Sequence, residues 1–246
     1  MEWLLILLVN FVVGACIGIC GIAGFVLPMF YISLGMSTVE SLALSFSAFI
    51  LSGVIGSAEY WKSRNLDLKF GTRLGIGSLV GALAGVRLNL ILPEESVKLL
   101  LYAVVLLSGI SILMRRDRES GNGFRIQEHG VLTLLFGGIT GAVCSASGAG
   151  GPVLVMPLLV TLGIPVRMAV GIALYDSIFI GVPSAVGYFS QCVSQALLVT
   201  LLLSLAAHGA GVFLGSKIAV YINQTFLKRA VAIGSIVLAC FKLVTM

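Results

Sequence analysis

Residues 130–163 read GVLTLLFGGITGAVCSASGAGGPVLVMPLLVTLG. Apolar residues 130–143 run into Cys144-Ser145-Ala146-Ser147-Gly148-Ala149-Gly150-Gly151-Pro152, and a short apolar piece, 153–162, follows. An apolar stretch that breaks at glycines and a proline and then resumes for only a few turns reads as a re-entrant hairpin in a bilayer. Backbone without helical hydrogen bonds is tolerated at that depth only when buried in protein or lining a wet cavity. The composition fits such a setting: 59% of the 246 residues are apolar, 10% are charged and 30 are glycine, and the mean hydropathy is +1.12. A soluble domain carries about a quarter charged residues, so this balance excludes a soluble enzyme. It excludes disorder too, which needs low hydrophobicity and high charge. Glycine-rich apolar sequence is typical of tightly packed transmembrane helices.

An earlier stretch has the same plan. Residues 4–19 are apolar, Cys20-Gly21-Ile22-Ala23-Gly24 interrupts, and residues 25–34 form a second short piece. At about 1.5 Å per residue those ten residues reach ~15 Å, half of the ~30 Å hydrocarbon thickness. Outward from the hairpins, 4–34 and 130–163, lie spans near 38–60, 72–92 and 96–114, and near 166–189, 196–216 and 229–245. The halves align at a shift of about 128–130 residues. Leu34-Gly35 matches Leu162-Gly163, Gly53 matches Gly181 and Tyr60 matches Tyr188. Gly81, Gly85 and Arg87 match Gly211, Gly215 and Lys217, and Lys98 matches Lys228. The expected fold class is an all-α polytopic membrane protein of two repeats, 1–114 and 129–246, joined by a polar linker, 115–128. Each repeat holds one re-entrant broken-helix hairpin and three transmembrane helices. Internal repeats of this kind mark secondary transporters.

Loop charge sets the relation between the halves. The loop 62–73 carries Lys62, Arg64, Lys69 and Arg73 against Asp67, the linker carries Arg115, Arg116, Arg118 and Arg125, and the loop 217–229 carries Lys217, Lys228 and Arg229. Lysine and arginine gather on the cytoplasmic side, so these three are expected inside. Residues 190–195, the counterpart of 62–73, are uncharged and are expected outside. Span 38–60 then runs inward and span 166–189 outward. The repeats are therefore expected to be inverted, with both termini outside. A parallel arrangement would put loops 62–73 and 190–195 on one face. The opening Met-Glu-Trp-Leu-Leu-Ile-Leu-Leu has no basic region before it and no Ala-x-Ala after it, so the first apolar stretch is expected to remain in the mature protein.

Two half-helices then start near the bilayer centre, around Phe25 and around Pro152-Val153. A helix start carries unpaired N–H groups and about half a positive charge. Two converging starts make an anion site without a lysine. The expected substrate-binding residues are Gly21, Ala23, Gly24 and Phe25 from the first break, and Gly148, Gly150, Gly151 and Val153 from the second. Ser45, Ser47, Ser145 and Ser147 would add hydroxyl donors. Pro152 suits a first helical position, where its missing N–H would be unpaired anyway. The plainer account is that the glycines only permit a turn and close packing. Asp176 lies about ten residues into span 166–189, where a carboxylate is costly and a functional candidate by default. It is either a proton-coupling group or a hydrogen-bonding cap on the broken backbone. His208 is either a packed neutral ring or a proton relay. Arg87 and Lys217, matched near span ends, snorkel to the interface or gather anions at opposite mouths.

Other chemistry finds no support. No Gly-Lys-Ser/Thr ends a glycine run as in a P-loop. No Ser–His–Asp order, carboxylate pair or metal cluster stands at plausible spacing, so neither an enzyme nor a cofactor is expected. The net charge of +5 sits in loops without interleaved aromatics, so no nucleic-acid footprint is present. Cys16, Cys20, Cys144, Cys192 and Cys240 give no disulfide framework; Cys16 and Cys20 share a helix face, most simply for packing.

The two glycine-rich breaks, each followed by a proline, resemble the sulfite exporter TauE/SafE family. They are Gly18 through Gly24 with Pro28, and Gly141 through Gly151 with Pro152 and Pro157. Leu34-Gly35 and Leu162-Gly163 follow, then Ala43-Leu44-Ser45 and the Gly81–Gly85 span ending in Arg87. The resemblance covers nearly the whole chain. Ala173 stands where the first repeat has Ser45, and Cys20 and Ile22 stand where the family has glycines; these departures bear on the substrate. The resemblance implies export of a small sulfur-containing anion, such as sulfite or the organosulfonate sulfoacetate, across the plasma membrane. With Asp176 in place, the expectation is a proton-coupled secondary transporter working by alternating access at the hairpin tips. The alternatives are a passive anion channel or a non-transporting membrane subunit.

Overall fold

The computed structural model describes residues 2–21, 23–113, 129–192 and 196–219, with a few single positions from 229 on. The described residues fold into helices: α1 (Glu2–Cys20), a 3-10 turn (Ala23–Phe25), α2 (Val26–Ser33), α3 (Thr38–Lys62), α4 (Leu68–Ile91), α5 (Glu94–Leu113), α6 (Gly130–Ser147), α7 (Gly151–Thr161), α8 (Val166–Phe189) and α9 (Ala196–Ile218). Six of them, α1, α3, α4, α6, α8 and α9, are long and apolar enough to cross a membrane, while 23–33 and 151–160 are shorter apolar helical pieces. The linker 115–128 and most of the stretch 229–245 lie outside the described residues.

Local chemistry sets the helix ends. The Ser37 hydroxyl accepts from the Glu40 N–H at 3.3 Å, and the Glu40 carboxylate accepts from the Ser37 N–H at 3.1 Å. This reciprocal cap opens α3. Asp67 opens α4 by accepting from the Phe70 N–H at 3.0 Å. The second break is shorter than the sequence suggests. Cys144, Ser145, Ala146 and Ser147 stay helical, because none forbids helical backbone, and α6 stops only at Gly148. That residue is left-handed, with φ of +74°, and closes the helix through its N–H on the Cys144 carbonyl at 3.0 Å.

The packing is reciprocal between the halves. At the centre α3 crosses α8. Gly53 faces Leu174 and Ile178, while Gly181 faces Phe46 and Ile50. Position rises along α3 as it falls along α8, so these matched helices run antiparallel. On one flank α4 lies along α6, with Gly81 and Gly85 against the carbonyls of Gly138 and Ala142. On the other, α1 lies along α9, with Gly211 and Gly215 against the carbonyls of Phe11 and Ala15. Both flanking pairs run parallel. Hydrogen bonds repeat the pattern: the Tyr60 hydroxyl donates to the Gly18 carbonyl at 3.3 Å, and that of Tyr188 to the Ser145 carbonyl at 2.8 Å. Lipid is as apolar as leucine, so helices in it associate through close packing and polar contacts rather than hydrophobic burial. Leu4, Leu8, Val80, Leu83, Val131, Leu135, Leu198 and Leu202 stay exposed on the flanking helices, where acyl chains would cover them.

Candidate anion site between the hairpin tips

The two breaks meet. In the first, α1 ends at Cys20, Gly21 turns with φ of +73°, and Ala23, Gly24 and Phe25 form the buried 3-10 turn. In the second, Gly150 turns with φ of +77° before α7 begins. Both tips press on the ring of Phe49. A Cβ on Gly24 would come within 3.0 Å of that ring and 3.6 Å of the Ala149 carbonyl oxygen, and one on Gly150 within 2.8 Å of the ring. A Cβ on Gly21 would lie 3.5 Å from that of Pro152. Phe49 is held by Phe46, edge to face at 5.6 Å, and Phe46 stacks on Tyr188 at 5.7 Å. Gly151 abuts Ser177, whose hydroxyl oxygen would be 3.1 Å from an added Cβ. Phe49 and Ser177 occupy matched positions in the aligned halves.

The backbone at the tips fits an oxyanion. Gly151, Pro152 and Val153 open α7, so the N–H groups of Gly151 and Val153 have no acceptor in their own helix, and no side chain caps them. Gly148, Gly150, Gly151 and Val153 are all buried. These donors, together with the positive end of α7, make an anion-favouring corner.

The serines are arranged differently from expectation. Ser45 donates to the Ser41 carbonyl at 2.7 Å and Ser47 to that of Ala43 at 2.9 Å. Ser147 donates to the Cys144 carbonyl at 3.4 Å and accepts from the Ala149 N–H at 3.3 Å, which ties down the tip. Ser145 donates to Ala82 on α4 at 3.0 Å and stands 2.8 Å from the Ser184 hydroxyl. In an apolar interior a helical serine bonds to a nearby carbonyl. Each hydroxyl must therefore rotate before it can donate to an anion.

Asp176 is fully buried, and neither carboxylate oxygen has a hydrogen-bond partner. Ser78 of α4 lies beside it but donates to the Gly137 carbonyl at 3.2 Å. Asp176 thus sits behind the second tip, next to the Ser177 that touches Gly151. Arg87 and Lys217 are both exposed near the ends of α4 and α9. The Lys217 ammonium lies 4.1 Å over the Phe213 ring. Lys217 also lines a cavity of about 290 Å³ together with Lys62, Arg167, Tyr60, Asn65 and Glu59, and the Glu59 carboxylate pairs with the Lys62 ammonium at 2.7 Å. That cavity lies over the end of α1, since the Tyr60 hydroxyl at its wall bonds to the Gly18 and Ile19 carbonyls at 3.3 and 3.1 Å. Among the described residues no group of three or more histidines, cysteines or carboxylates could hold a metal ion.

Sequence reasoning missed Phe49 and Ser177 as contacts of the tips. The usable signal was their shared position in the repeat alignment, one turn from the serines it did select.

A family model described as sulfite exporter TauE/SafE matches residues 4–241. A probable membrane transporter protein, YdhB of Bacillus subtilis strain 168, is 24% identical over 236 residues, covering 93% of this chain and 95% of that protein. No solved structure matches.

Proposed function

The chain belongs to the sulfite exporter TauE/SafE family and is a multi-pass membrane transporter, and from that premise we propose that it is a proton-coupled secondary carrier that exports sulfite or an organosulfonate such as sulfoacetate across the plasma membrane. The observation that carries this reading is the meeting of two buried glycine breaks on one ring, Phe49, with uncapped N–H groups at Gly151 and Val153. A sulfur oxyanion presents several acceptor oxygens and no donor when ionised, which matches a site of backbone donors. The family name supports the sulfur anion.

The halves act as inverted repeats. Support comes from the antiparallel crossing of the matched helices α3 and α8 and from the reciprocal contacts on both flanks. By the basic-loop rule the cavity lined by Arg167, Lys217 and the Lys62–Glu59 pair faces the cytoplasm, where its net positive lining concentrates anions, and both termini face outward. Rocking of one half on the other exposes the tips to each side in turn.

Asp176 carries the coupled proton. An ionised carboxylate buried without partners costs several kcal/mol, and one near the tips repels an anion; a bound proton removes both penalties. Anion and proton therefore favour each other's binding.

The test is to record currents from reconstituted vesicles on adding sulfite, sulfoacetate, thiosulfate or acetate, with and without a pH gradient. The expected result is a saturable, pH-sensitive current for one sulfur anion. A non-saturating current insensitive to pH would replace the carrier with a channel. No current with any of the four, from folded protein, would overturn the substrate class.

A further inference from the structure

A second polar cluster lies on the opposite side of the central helices from Asp176. His208 of α9 is fully buried. Its Nδ1 stands 3.2 Å from the Asn10 carbonyl oxygen of α1, and its Nε2 stands 2.6 Å from the Ser52 hydroxyl of α3. The Ser52 hydroxyl is also 3.0 Å from the Ala48 carbonyl oxygen of its own helix. A carbonyl only accepts, so Nδ1 carries a proton. Nε2 is the free position of the neutral ring, and there it accepts from Ser52.

We infer that His208 and Ser52 form a proton-binding site between α1, α3 and α9, which takes its proton at Nε2. The proton comes from water and joins the Nε2 lone pair. The new N–H then donates to the Ser52 oxygen, and the single Ser52 proton turns from Nε2 to the Ala48 carbonyl. Every polar atom is hydrogen-bonded both before and after. A purely structural histidine needs only one of these arrangements; this geometry supplies both.

The site lies close to the tips, because Ser52 is one turn along α3 from Phe49, the residue both tips touch. Among the described residues its surroundings carry no fixed counter-charge. The hydrogen-bond chain runs from Asn10 to the Tyr31 hydroxyl of α2, at 2.9 Å from the Asn10 amide nitrogen, and Ser204 of α9 lies beside Tyr31. Tyr31 is the one titratable group that chain reaches among the described residues. Glu40, Glu59 and Lys62 stand near the ends of α3, Lys217 near the end of α9, and Cys16 and Cys20 on α1. With no carboxylate beside the ring, the anion held at the tips supplies the balancing charge.

The repeat gives the pair its logic. Position 208 matches Ser78, and position 48 matches Asp176. The crossings of α4 with α8 and of α9 with α3 are therefore equivalent, and each holds one titratable side chain from the second half: Asp176 beside Ser78 at one, His208 beside Ser52 at the other. This inference rests on the carrier reading for its anion partner but not for the proton site itself.

The test is histidine-selective nitrogen NMR of the full chain in bilayers. With sulfite present, between about pH 8 and about pH 5, the range in which an imidazole titrates, His208 is expected to pass from the Nδ1-protonated tautomer to the doubly protonated ring. Adding sulfite at fixed pH should raise the protonated fraction. Ser52→Ala removes the group that turns, and should lower the midpoint by about one pH unit. A ring that stays neutral across this range, with and without sulfite, overturns the site even in vesicles that carry sulfite. A ring that titrates in vesicles carrying no anion leaves the site standing and overturns the carrier.

Discussion

Asp176 is the residue whose role is easiest to isolate, because it has no hydrogen bond to lose. Replacing it by asparagine changes shape little and removes the titrating group. Asp176→Asn should fold as the parent does and keep a sulfite current, but the current should lose its dependence on a pH gradient. A pH response identical to the parent's would assign proton coupling elsewhere. This residue was legible in the sequence because a charge deep in an apolar span stands out. The serines were legible only as residue types: their hydroxyls lie where expected along the chain, but they donate to carbonyls that a sequence does not reveal. Phe49 was legible only through its match with Ser177 in the repeat alignment, since one phenylalanine among many apolar neighbours carries no mark of where its ring will point.

At the scale of elements, the fold depends on helices that approach closely enough to touch carbonyl oxygens. Gly81 meets the Gly138 carbonyl and Gly211 meets that of Phe11, at matched positions in the two flanking pairs. Any side chain at either position must push backbone aside, because no flexible side chain stands there to give way. Gly81→Leu and Gly211→Leu should each lower stability by about 3 kcal/mol or more, at or above the upper range for overpacking, and by similar amounts, read as thermal unfolding in detergent. A large penalty at one position and none at the other would contradict reciprocal packing. The glycines of these helices were readable as packing residues. The second break was readable only in part: its glycines were visible, but the small residues Cys144–Ser147 tolerate a helix or a loop equally, and the Gly148 cap decides between them.

At the scale of the whole molecule, the packing is reciprocal across the two halves of the chain. Two similar halves, each with a broken helix it cannot bury alone, cover each other's breaks and bring both tips to one buried point. The order of glycine breaks and apolar spans is legible in the sequence. The partnering is not: α1 with α9 and α4 with α6 are pairings across the halves, and nothing in an apolar stretch names its neighbour. One titratable group stands on each side of the tips, Asp176 and His208, and the basic cavity of Lys62, Arg167 and Lys217 lies at the end of α1. On the proposed reading, these are the anion site's charge balance and its entry.

The central claim is that the two tips together hold the anion through their backbone. The most direct measurement is glycine-selective nitrogen NMR of the full chain in bilayers during a sulfite titration, read across its 30 glycines. The account predicts saturable shifts at Gly21, Gly24, Gly148, Gly150 and Gly151, from both tips at one midpoint, with Gly81, Gly85, Gly211 and Gly215 little moved. Saturable transport of sulfite with the tip glycines unmoved, or with only one tip responding, would contradict it.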